Sequence, residues 1–369
     1  MEFGIINGEP YYKRLPLDRD TVNRVTVYGQ DNLYPQRAKE SLLRSPIGLS
    51  CVELIAAFIR GDGFENDRVI NDQGDTANDI LKLISWDQSA FRGWGVHTNN
   101  NLNGDVTELT YIPFEFIRLG LATQKGIIKD VKVSNNWEQY DQTLPSPNEL
   151  NEVRFSLYNP QDVQQEVLTT AKGMVYYSTP KKNTYPLASF DAVWESLQAD
   201  SELQIFELAN IVNGFISLSV FKLPSGGNDE DEQIELSKKL NTLKGAKNAN
   251  SIIVASVDED WAGGDLIEQV PANNNDTLYT GTLASVKNRL LQNWALPASL
   301  LGMLPDGALF TAQQIADDFK YMNARVRDQR LDIERQFEKM GLDVGKIIPR
   351  EFESSPVPTA KELEDAITN

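Results

Sequence analysis

Few residues in this 369-residue sequence are equipped for chemistry, and their numbers exclude most of it. The one histidine, His97, rules out paired-histidine metal sites of the H-E-x-x-H type and makes a serine or cysteine triad improbable. It precedes Thr98-Asn99-Asn100-Asn101, which reads as a solvated loop. The one cysteine, Cys51, excludes an intramolecular disulfide and every multi-cysteine zinc or iron–sulfur site, which fits a reducing interior. Its place in a helical pattern reads as a small buried hydrophobe. No G-x-S-x-G elbow is present. The nearest string to a phosphate loop, Gly341-Leu342-Asp343-Val344-Gly345-Lys346, has the wrong spacing and no following hydroxyl. An ATP-driven motor and a nucleophilic hydrolase both fall away, and neither a cofactor nor a metal is expected.

Carboxylates are harder to dismiss, because the chain has 53 Asp and Glu and a glycosidase needs only two, about 5 to 10 Å apart. The densest cluster, Asp229-Glu230-Asp231-Glu232 behind Ser225-Gly226-Gly227-Asn228, reads as a solvated turn and helix start. Asp317 and Asp318 fall opposite the apolar stripe of their helix. An acidic glycoside hydrolase stays as a remote alternative; the expectation is a protein that is no enzyme. The formal charge of −18 removes long-range attraction to a polyphosphate. Against it, Lys238, Lys239, Lys244 and Lys247 cluster, and Lys287 with Arg289 face away from an apolar stripe. Lys287 and Arg289 are candidate phosphate contacts, with surface solubility as the plainer reading.

The elements around these residues indicate two or three domains with an ordinary 41% hydrophobic and 24% charged content. No run of eighteen apolar residues exists and Met1-Glu2-Phe3-Gly4 lacks a basic signal region, so no membrane association is expected. Residues 1–35 mix Gly4, Gly8, Pro10, Pro16 and Gly29 with short β-rich pieces, an irregular arm that orders against a partner. Ile47, Cys51, Leu54, Ile55 and Phe58 repeat at helical spacing up to Arg60-Gly61-Asp62-Gly63, and residues 76–96 predict a further helix. Between about 100 and 180 the period drops to two, as in Val131, Val133, Val153, Phe155, Val175 and Tyr177.

From Pro186, a long helix carries Phe190, Trp194, Leu197, Ile205, Leu208 and Val212 to Asn213-Gly214. Strand, helix and strand follow over Phe215–Leu223, Asp231–Leu243 and Ser251–Val257, a βαβ-like insertion. A second long helix spans Thr277–Trp294, with Tyr279, Leu283, Val286, Leu290 and Trp294 on one face. The stretch from Leu296 to Gly307 is too apolar for a solvated linker. Thr311 predicts an N-cap, and Ile315, Phe319, Met322, Val326, Ile333, Phe337 and Met340 predict a third long helix that Gly341 stops.

In order, Tyr185-Pro186-Leu187-Ala188-Ser189-Phe190 opening a helix, then Leu236–Leu243 with Gly245 to Val254, then Leu290 to Gly302 ending in Leu296-Pro297-Ala298-Ser299-Leu300-Leu301-Gly302, resemble the portal proteins of tailed double-stranded DNA bacteriophages. The last motif is similar to the family's V-P-P-x-L-L-G, with Ala298 in place of the second proline. The resemblance implies an α+β portal architecture: arm 1–35, β-rich wing 36–185, first stem helix 186–214, clip 215–275, second stem helix 276–296, tunnel loop 297–310, a long helix 311–341, and a short tail 342–369 with little or no crown. Leu300, Leu301, Met303, Leu304, Leu309 and Phe310 would face DNA in the tunnel loop. Lys222, Asp229, Glu230, Asp231, Glu232, Lys238, Lys239, Lys244 and Lys247 would form the docking surface of the clip. The implied partners are further copies of the chain in a ring of twelve, double-stranded DNA passing without sequence specificity, the terminase large subunit, a head-tail adaptor and the major capsid protein. The implied location is the virion portal vertex, after assembly in the host cytoplasm. Another ring-forming connector or adaptor is the alternative.

Overall fold

The computed structural model describes residues 19–20, 25–122, 127–138, 153–169, 173–180, 185–212, 219–225, 252–258, 267–269, 276–302 and 311–352. In chain order the elements are β1 (Arg19–Asp20), β2 (Val25–Thr26), α1 (Tyr34–Leu43), α2 (Pro46–Arg60), α3 (Ala77–Phe91), β3 (Trp94–Asn100) and β4 (Val106–Ile112). They continue with β5 (Ile117–Leu119), β6 (Asp130–Val133), β7 (Val153–Leu157), α4 (Val163–Thr169), β8 (Met174–Ser178) and α5 (Trp194–Val212). Last come β9 (Ser219–Ser225), β10 (Ile252–Asp258), β11 (Ile267–Gln269), α6 (Asp276–Trp294) and α7 (Ala312–Lys339). The chain divides into two compact units: residues 1–40, 50–191 and 296–369 form the first, and residues 41–49 and 192–295 the second. The class is α+β, as expected. No single helix among the described residues is long and apolar enough to cross a membrane.

The first unit is built on a six-stranded sheet in the order β4-β3-β8-β7-β6-β5, antiparallel except for the parallel pair β7–β8. Parallel neighbours need a crossover, and α4 lies in the one between β7 and β8. Helix α7 supplies a stripe, Met322, Val326, Ile333 and Phe337, with almost no exposure. Phe337 lies 5.0 Å from Phe64 and 6.4 Å from Trp94 between ring centres. The ends of α7 follow from its sequence. Thr311 and Gln314 form a reciprocal capping box, and Gly341 takes φ 76°, the left-handed conformation that ends a helix without a Cβ penalty.

Three expectations change here. The helix predicted over 76–96 stops at Phe91, because Arg92 turns left-handed at φ 58° and its N–H closes on the Gln88 carbonyl. Trp94–Asn100 then pairs with β4 on one side and β8 on the other, so His97 lies on a strand, half-buried and edge-on to Phe155 at 5.0 Å. The expected arm 1–35 is packed from Val25 onward. Val25 bridges Gly120, and Tyr28 stacks on Tyr185 with ring centres 4.0 Å apart. The first residues of the short tail expected over 342–369 are anchored as well, without changing that expectation. Ile347 bridges Phe64, the Glu65 and Asn66 N–H groups donate to Lys346 and Val344, and Leu342, Val344 and Ile347 are buried. Residues 353–369, on which the absence of a crown rests, lie outside the described residues.

The second unit holds α5, α6 and a three-stranded sheet in the order β10-β9-β11. Strands β9 and β10 are parallel in register from Ser219↔Ile252 to Ser225↔Asp258, so the chain between them must cross over, as the βαβ reading requires. The crossover helix expected at Asp231–Leu243 lies outside the described residues. Pro224 is tolerated in the middle strand because β11 pairs only with Ser219–Phe221 and leaves that side of Pro224 unpaired among the described residues.

Candidate assembly and channel surfaces

Among the described residues the buried positions of the α5–α6 pair lie toward one end of each helix. Leu197, near the N-terminal end of α5, and Val286, Leu290, Leu291 and Trp294, toward the C-terminal end of α6, are buried, and the two helices pack on each other. At this end of α5 the Asp200 carboxylate accepts from the Ser45 hydroxyl at 2.6 Å and the Ile47 N–H at 3.4 Å. The turn before α2 is thereby tied to α5. A Cβ on Gly48 would come within 2.3 Å of Leu197 Cδ2, so a larger residue there would force Leu197 to shift. The first stem helix, expected from residue 186, begins only at Trp194 after a 3-10 turn over Asp191–Val193. Backbone donors upstream are taken by other segments: the Ser189 N–H donates to Ala90 O and the Ala188 N–H to the Tyr34 hydroxyl.

Farther along, the pair has no buried residue over 201–208 of α5 or 280–285 of α6. Phe206 is 39%, Leu208 60% and Leu283 36% exposed. Lys287 is half-buried and Arg289 exposed, both beside the buried positions Val286 and Leu290 rather than on them. Lys222 lies on β9. Asp229, Glu230, Asp231, Glu232, Lys238, Lys239, Lys244 and Lys247 lie outside the described residues.

After α6, Ala295 takes φ 46°, Leu296 is buried, and Pro297 opens a 3-10 turn over Ala298–Leu301 that Gly302 ends. This turn packs on α7, where Ser299 Oγ pairs with the Asp318 carboxylate. Asp317 stays on the solvent side with Lys320 and Gln313 as partners. Leu300 and Leu301 are half-buried; Met303, Leu304, Leu309 and Phe310 lie outside the described residues.

No group of three His, Cys, Asp or Glu suited to a metal ion occurs among the described residues. Cys51 is buried and reduced. The hollow lined by Asn100, Asn101, Leu102 and Asn103 lies at the β3–β4 turn, where Gln164 of α4 donates to Asn103 O. The most perturbed titratable groups form a buried polar network in the first unit that sequence reasoning missed. Arg118 on β5 is fully buried and donates to Asn32 Oδ1, Asn32 O and Gln36 Oε1 and to the carbonyls of Glu115 and Ile117. Its guanidinium lies 5.0 Å from the Trp137 ring and 5.7 Å from that of Tyr28. Burial pushes its pKa down to about 10, opposed by the nearby tyrosines and Glu115. On α7, Arg330 sits within the apolar stripe and donates to Phe58 O near the end of α2. Single charges inside apolar runs, such as Ile117-Arg118-Leu119, are the one signal that marks them in the sequence.

No family model matches the sequence, and no curated protein matches it significantly. Solved structures do. A chain in the neck of a native gene transfer agent particle, computed with C12 symmetry, matches at TM-score 0.50 and 13% identity, covering 83% of this chain and 78% of that one. A chain in the neck of an empty particle, computed with C6 symmetry, matches at TM-score 0.53 and 12% identity, covering 93% and 90%. At that coverage both units are included, and the chain has the fold of these neck components.

Proposed function

We propose that this chain is the portal subunit of a tailed phage or phage-like particle: a ring of about twelve copies at one capsid vertex, through which double-stranded DNA is packaged and ejected. The observation that carries the reading is the α5–α6 pair, which leaves Leu208 of α5 and Leu283 of α6 exposed. Helices apolar beyond the face their neighbour covers are natural in a ring, where adjacent copies supply the missing contact. The fold shared with neck chains computed with C12 and C6 symmetry supports the same assembly.

In this reading the chain performs no catalysis. The terminase large subunit hydrolyses ATP, and the β9–β11 region, with Lys222 and the acidic and basic residues that follow it, docks the terminase and later the head-tail adaptor; the major capsid protein surrounds the ring. The apolar segment from Leu300 to Phe310 lines the narrowest part of the channel. At −18 per subunit, twelve copies carry about −216, a field that disfavours adhesion of DNA during passage. Negative-stain images and native mass of the purified chain test this. A ring with a narrow stalk is expected. A flat ring without a stalk points to an adaptor, and a chain that stays monomeric under assembly conditions overturns the proposal.

A further inference from the structure

Independently of any ring, the polar network of the first unit contains two carboxyl groups that share one buried corner. Asp87, near the end of α3, has no exposure. Its Oδ2 accepts from the Tyr111 hydroxyl at 2.8 Å and the Phe114 N–H at 3.2 Å, while Oδ1 has no hydrogen-bond partner among the described residues. Glu115, in the 3-10 turn between β4 and β5, is also buried; its Oε1 pairs with Lys39 of α1, and Oε2 has no partner among the described residues. The charged and titratable groups facing the corner are thus Lys39 from α1, Tyr111 from β4, Glu115 itself and Arg118 from β5. Lys39 is the ion-pair partner of Glu115 and offsets the Asp87 charge only in part, and Arg118 spends its N–H groups on Asn32, Gln36 and backbone carbonyls.

A second buried carboxylate therefore has no cation of its own, lies beside a like charge, and stands one turn from a helix C-terminus, whose dipole adds further negative potential. A neutral carboxylic acid removes all three conflicts and turns one oxygen into a donor. We propose that Asp87 is held as a neutral acid beside Glu115, the ion-pair partner of Lys39, in the folded protein at neutral pH, so that this corner is a proton-loaded latch fastening α3 to the turn between β4 and β5. Burial, then the charge of Glu115, push the Asp87 pKa well above the ordinary carboxylate range, in the same direction. The latch has a definite sign. A folded pKa above the unfolded one gives stability that is full below the unfolded value and is lost as pH rises through the folded value.

Infrared spectra of the full-length protein at about pH 8 test it, where carboxyls of unfolded-like pKa are ionised. The wild type is expected to show the carbonyl stretch of a protonated carboxyl, and Asp87→Asn to lack it. In denaturant titrations the unfolding constant of the wild type, divided by that of Asp87→Asn, should rise by up to about tenfold per pH unit from the unfolded Asp value, about 4, up to the folded one, and level off above it. Glu115→Gln removes the neighbouring charge and carries the test if Asp87→Asn does not fold: its carboxyl band should titrate at lower pH than the wild-type band. A wild type without the band, a band that survives Asp87→Asn, or a midpoint unmoved by Glu115→Gln overturns the proposal.

Discussion

The long helices of the two units solve the same problem in different ways. In the first unit, α7 keeps Met322, Val326, Ile333 and Phe337 on one stripe at spacings of four, seven and four, and all four are buried by the same chain. In the second, α5 carries Leu203, Ile205, Phe206 and Leu208 at spacings of two, one and two, which distributes them around the helix. A single neighbour such as α6 cannot cover them all, and Leu208 stays 60% exposed. The stripe of α7 is fully covered, although Val69 and Leu102 elsewhere in the first unit are 62% and 76% exposed. The outer part of the α5–α6 pair has apolar surface in excess of what its unit buries.

The contrast breaks first, and by the largest margin, at Phe337. Phe337→Ala removes a fully buried ring packed on Phe64 and Trp94 and should destabilise the first unit by about 3–5 kcal/mol, read from the denaturant midpoint of the purified chain. A loss under about 1 kcal/mol would mean that α7 is not the closing element of its core. The anchored end of the second unit should respond next. Asp200→Ala leaves the buried Ser45 hydroxyl without its acceptor, at a cost of about 1–3 kcal/mol, and urea titration monitored at Trp194 should detect it.

What was legible follows from how local each signal is. Helix α7 could be read from Thr311 to Gly341 because cap, stripe and stop all lie within the segment. The crossover between β9 and β10 was legible for the same reason, as alternating strands flanked a helical pattern. The order of the six-stranded sheet was not. It places β3 beside β8, joining Trp94 to Ser178, and no residue between them announces that partner. The same holds for Asp87, Arg118 and Arg330, whose burial is created by residues far away in sequence, such as Asn32 for Arg118 and Phe58 for Arg330. Trp94–Asn100 was misread because Asn99, Asn100 and Asn101 resemble a loop, whereas two flanking strands satisfy that backbone. Of the candidate surface, Lys287 and Arg289 were legible as positions off the buried face, because the helical period of α6 decides that; Leu300 and Leu301 were read as loop and form a 3-10 turn on α7.

A smaller effect sharpens the comparison at the start of α7. Thr311→Ala removes the side chain that accepts from the Gln314 N–H and should cost about 1 kcal/mol, seen as a modest fall in melting temperature with the ring unaffected. Loss of assembly in this variant would show that the segment before α7 holds copies together.

The smallest effect on the subunit itself is expected at Leu208, and it separates the two regions most cleanly. Because Leu208 buries little of itself, Leu208→Glu should leave the stability of the isolated chain within about 0.5 kcal/mol of the wild type. If neighbouring copies cover this position in a ring, the same substitution places a charge in an apolar contact repeated at every interface, and the cost multiplies with the copy number. The expected result is therefore a monomer that melts normally and no longer assembles, measured by native mass beside Thr311→Ala. A variant that melts several degrees lower would make Leu208 part of the subunit's own core. One that assembles like the wild type would place the ring contact elsewhere and leave the exposed apolar residues of α5 without the role proposed for them.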